Sequence, residues 1–174
     1  MSVRIARIQA EKLIERLGVK DIPVDVKSIA AALGIQIIEE NLGEGISGLL
    51  VSKGESVYIF IQKGNHEHRQ RFTISHEIGH HCLGHQFQSG EHVIVDKGYF
   101  ISQRGPQAST GADPKEIEAN QFAACLLMPA VLLREKVAEL GGGPLLDLDV
   151  CKLAEDFKVS EQAMTIRLST LGLL

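Results

Sequence analysis

The chain has 174 residues, long enough to bury a core without disulfide or metal staples, and short enough for one domain with at most a small appendage. Hydrophobic residues make up 44% and charged residues 23%, the balance of an ordinary globular protein. A net charge of -4 removes any global attraction to nucleic acid or anionic membrane, and no apolar stretch reaches the length of a membrane span.

In chain order, Ile5, Ile8, Leu13 and Leu17 share one helical stripe that Gly18 stops. This charged amphipathic start lacks the uninterrupted apolar core of a signal peptide. Pro23 to Leu33 reads as a second, short helix ended by Gly34, and Ile35 to Ile38 as a strand. Leu49 to Val51 and Val57 to Ile61 read as a hairpin around the turn SKGES. From Asn65, a plausible N-cap, apolar residues recur at helical spacing as far as Gly84, so the helix is expected over 66–84.

Val93 to Val95 and Tyr99 to Ile101 suggest short strands, and the turn-rich stretch 102–114 a surface loop that could cover a site or lie idle. Asp113 as N-cap and Pro114 at the first helical position start a helix that runs to Met128. Pro129 opens another, to about Leu140. After the glycines at 141–143, two short helices at about 149–157 and 160–171 have helix-turn-helix spacing. Helices dominate both ends with a small sheet between, which predicts an α+β fold. The expected division is a main domain over 1–140 and a helical subdomain over 141–174 packed on it.

The chemistry concentrates in His76-Glu77-Ile78-Gly79-His80. Residues i and i+4 lie on one helical face about a turn apart, so two imidazoles can converge on one zinc ion. Glu77 is offset by about 100° and can reach the open side of the metal as a general base. A catalytic zinc site needs a third protein ligand and an open position. A third histidine six residues after His80 would suit one class of zinc peptidase, but Gln86 stands there. A downstream helix offers two glutamates instead, Glu116 and Glu118, pointing about 200° apart. Glu116 is preferred, because its face is small and apolar with one amide, Asn120, at i+4.

RFTISHEIGHHCLGH, followed some 35 residues later by EIEANQFAACLLMP, resembles the ImmA/IrrE family of metallo-endopeptidases. IPVDVKSIAAALGIQI upstream and LAEDFKVSEQAMTIRLSTLGLL at the end are similar to it as well. The resemblance implies a gluzincin-like site with His76 and His80 as zinc ligands and Glu77 as catalytic base. The family's E-x-x-A-N/D element falls on Glu116, Ala119 and Asn120. It also implies a protein substrate, a helix-turn-helix repressor, in stress-response, mobile-element or toxin–antitoxin-like systems.

Several residues invite a role but have plainer readings. His81 and His85 end a helix, where a cation is favoured by the dipole; His85 is also placed to assist the site. Cys82 reads as core, and His66, Glu67 and His68 as a solvated face. Cys82, Cys125 and Cys151 are distant and odd in number, which favours a reducing cytoplasmic setting. Tyr58 or Ile59 would border a substrate cleft if their strand were an edge. The closing helices carry Arg167 as the only basic residue of the second, so packing is expected rather than DNA contact. The rival to cleavage is a zinc-bearing module that sequesters a repressor or antitoxin without cutting it.

Overall fold

The computed structural model describes residues 2–85, 92–96, 113–141 and 144–174. It is α+β, as expected, with helices around a small mixed sheet. Helix α1 (Val3–Leu17) ends where Gly18 turns left-handed at φ 63° and returns its N–H to Glu15. Helix α2 (Val26–Ala32) starts later than Pro23. Asp25 is the reason: one carboxylate oxygen accepts from the amides of Lys27 and Ser28, the other from the Ser28 hydroxyl at 2.6 Å.

Four strands follow: β1 (Ile35–Glu40), β2 (Gly48–Lys53), β3 (Ser56–Gln62) and β4 (His92–Asp96). Their order is β1-β3-β2-β4. β2 and β3 form the expected antiparallel hairpin, with Gly54 at φ 60° in the turn. β3 also pairs in parallel with β1, so both of its backbone edges are occupied. This corrects the expectation for Tyr58 and Ile59: their strand is interior, and among the described strands β1 and β4 are the outer ones. The suggested strand at 99–101 and the loop 102–112 lie outside the described residues.

Helix α3 (Glu67–Cys82) begins one residue later than expected, because His66 rather than Asn65 is the cap: its Nδ1 accepts from the His68 amide at 3.3 Å. Helix α4 (Pro114–Leu127) is capped by Asp113 with Pro114 in its first turn. Helices α5 (Ala130–Glu139), α6 (Asp147–Phe157) and α7 (Glu161–Thr170) complete the chain. Buried residues on both sides of residue 141 share one hydrophobic core, among them Ile59, Ile78, Phe122, Leu153 and Met164. Arg167 Nε donates to the Met128 carbonyl at 3.0 Å and Arg134 to the Leu171 carbonyl at 3.1 Å, tying the last helix to the α4–α5 corner.

α3 lies in the middle of this arrangement, with the sheet on one side and α4 on the other. Two glycines set the distances. A methyl group at Gly79 would stand 3.2 Å from the Ala119 carbonyl oxygen and from two carbons of Phe122, so bare Gly79 lets α3 and α4 approach closely. At Gly48 a methyl group would overlap Thr73 Cγ2 and come within 3.4 Å of Glu77 Oε1, so β2 also lies directly on α3. Both contacts fall within the segment that carries the metal motif.

Candidate metal centre

One turn of α3 separates His76 from His80, and their rings meet edge to face with centroids 4.6 Å apart. Their Nε2 atoms are 3.0 Å apart. Glu116, in the first turn of α4, closes the third side: its Oε2 is 3.1 Å from His76 Nε2 and its Oε1 is 3.3 Å from His80 Nε2. Both histidines are buried and Glu116 is partly exposed, so the centre opens to solvent on the glutamate side.

The outer hydrogen bonds set the tautomers. His76 Nδ1 lies 2.9 Å from Asn120 Oδ1, which can only accept, so Nδ1 carries the proton. His85 Nε2 lies 3.0 Å from Glu118 Oε2 and donates to that carboxylate. A neutral His85 then offers its Nδ1 as acceptor to His80 Nδ1, 2.9 Å away. Each of His76 and His80 therefore directs an Nε2 lone pair at Glu116. Burial, ahead of every other influence, lowers the pKa of His80 and favours this neutral form. Burial also opposes ionisation of Glu116, but positive charge on its two histidine neighbours outweighs it and holds the carboxyl well below the usual carboxylate range; with both imidazoles neutral, a cation between them has to supply that charge.

Three electron-pair donors facing one another this closely are held together by a proton or by a metal cation between them. Two imidazoles and a carboxylate are a donor set of catalytic zinc sites. Bonds of about 2.0–2.1 Å at tetrahedral angles place ligand atoms about 3.3 Å apart, which the separations of 3.0, 3.1 and 3.3 Å approach. The residues thus fit a small divalent metal with a fourth position left over. Among the described residues, His76, His80 and Glu116 are the one group of this kind.

Glu77 is fully buried on the sheet side of α3, against β2 at Gly48. Glu118, the rival ligand in sequence terms, is 4% exposed and faces away from the cluster toward His85. Cys82 is not in the cluster, and burial pushes its thiol up to about 11. Sequence reasoning placed Asn120 on the face of Glu116 and His85 near the site, but missed the pairing of His85 with Glu118 and its contact with His80. The available signal was a histidine just beyond the helix end paired with a glutamate on the far face of α4.

The model of the Peptidase M78 family, described as the IrrE N-terminal-like domain, matches residues 30–169. The chain belongs to this family. The match covers β1 to α7, so it includes the whole cluster and both closing helices. No curated protein matches the chain. Membership makes it a peptidase-family protein, and the His76–His80–Glu116 cluster gives that family's chain a possible metal site. Among the described residues, no single helix is long and apolar enough to cross a membrane.

Proposed function

We propose that the chain is a cytoplasmic zinc-dependent endopeptidase that cuts a regulatory protein, a helix-turn-helix repressor, within a stress-response, mobile-element or toxin–antitoxin-like system. The observation that carries the reading is the meeting of His76 Nε2, His80 Nε2 and the Glu116 carboxylate at 3.0–3.3 Å, beside the buried Glu77, in a chain of a peptidase family. The choice of repressor rests on the family resemblance and that of compartment on the three free cysteines.

His76, His80 and Glu116 would hold the metal. When bound, zinc supplies Lewis acidity, which makes water a nucleophile near neutral pH and polarises a substrate carbonyl. Asn120 and the His85–Glu118 pair keep both imidazoles in the Nε2-open tautomer and fix their orientation. Glu77 takes the proton from the attacking water and passes it to the leaving amine.

The test uses Glu77→Gln, which keeps the size of the side chain but not its basicity. Wild-type protein should cut a candidate repressor, and the variant should bind metal equally and cut about 10²–10⁴-fold more slowly. Undiminished cleavage by the variant would remove Glu77 as base. An intact repressor held in a stable complex by the wild type would replace cleavage with sequestration.

A further inference from the structure

One turn upstream of the metal cluster, a cavity of about 350 Å³ opens between the start of α3, the middle of α4 and one face of α7. Its floor is apolar: Phe72, Ala124, Leu127, Met128, Ala163 and Ile166 line it. The volume lies at the lower end of the range of about 300–1,000 Å³ usual for small-molecule pockets. Arg167 also lines it. That side chain is 3% exposed, and its Nε is spent on the Met128 carbonyl. Its Nη1 and Nη2 are buried and have no hydrogen-bond partner among the described residues. A guanidinium taken out of water without an anion is costly, and the uncompensated donors point to an absent negative group.

Arg69 also lines the cavity, and among the described residues no aspartate or glutamate does, although the chain as a whole is acidic. Ser160, Gln162 and Ala163 place the N-terminal end of α7, with its partial positive charge, at the wall. We infer that this cavity binds a small amphipathic carboxylate, its hydrocarbon body on the Phe72–Leu127–Ile166 lining and its carboxylate on Arg167. Arg167 presents the forked donors that match a carboxylate. The cavity adjoins the metal cluster through Asn120, which lines it and also accepts from His76, and through Phe72, whose ring centroid is 6.1 Å from that of His76.

The site is defined without reference to peptidase activity, so its test is a binding measurement. Isothermal titration of the metal-loaded full chain with octanoate, octan-1-ol and acetate separates the two halves of the ligand. Octanoate should bind, with octanol and acetate each at least about tenfold weaker, since one lacks the charge and the other the apolar body. Arg167→Met should weaken octanoate by about tenfold or more and leave octanol unchanged. Ala163→Phe, which fills the cavity and keeps Arg167, should also abolish octanoate binding. Absence of octanoate binding to the wild type would overturn the assignment. So would octanol binding as tightly as octanoate, or octanoate binding retained by Ala163→Phe, which would place the carboxylate elsewhere, on the metal for example.

Discussion

At the scale of single residues, two imidazoles in a helix present their Nε2 lone pairs to a common point only if something else holds each Nδ1–H. Asn120 does so for His76, and His85, braced by Glu118, does so for His80. Removing such an outer partner commonly costs about 10–100-fold in metal affinity. His85→Ala should therefore lower zinc affinity by that factor in competition with a chromophoric chelator, while the circular dichroism spectrum stays that of the wild type. Unchanged affinity would show that the His85–His80 contact does not orient the ligand.

Acidification tests the same residues. Burial lowers the pKa of His80 from 6.5, and also those of His68 and His81. The unfolded chain then binds more protons than the folded one as pH falls through that region, so stability is full above about 6.5 and declines below it. After metal removal, the urea midpoint should fall steadily from pH 7 to pH 4. A midpoint that held constant or rose over that range would contradict the neutral, buried assignment of His80.

At the scale of elements, much was legible before any coordinates. Asp113–Pro114 marked the start of α4, and the SKGES turn marked the β2–β3 hairpin, because capping and turn chemistry are local. The position of β3 inside the sheet was not legible: it depends on parallel pairing with β1, some twenty residues upstream, which no local pattern encodes. The approach of Glu116 to the two histidines was legible from helix-face chemistry, but the pairing of Glu118 with His85 was not, since it depends on where the chain runs after α3 ends. Nor did sequence reveal that Arg167, the lone basic residue of the last helix, is buried.

Gly48 and Gly79 carry the packing that brings these elements together. Ala at Gly79 would gain about 1 kcal/mol of helix propensity, which offsets part of the crowding against Ala119 and Phe122. Ala at Gly48 has no such gain, and the obstructing Thr73 methyl belongs to a stiff, fully buried β-branched side chain. Gly48→Ala should cost about 2 kcal/mol or more in chemical denaturation, and Thr73→Ser in the same chain should recover a large share. If Gly48→Ala proves neutral, the close seating of β2 on α3 is wrong.

At the scale of the whole molecule, the sheet, α3 and α4 form a frame that holds two histidines from one helix against a glutamate from another, with Glu77 on the sheet side. The family match over residues 30–169 spans that frame. The claim on which the rest depends is that the metal sits on nitrogen and oxygen, at His76, His80 and Glu116, rather than on sulfur. Zinc K-edge X-ray absorption on the zinc-loaded full chain reads this directly. The expected result is a shell of nitrogen and oxygen at about 2.0–2.1 Å, with the multiple-scattering signature of two imidazoles. A sulfur shell at about 2.3 Å, or scattering from fewer than two imidazoles, would contradict it.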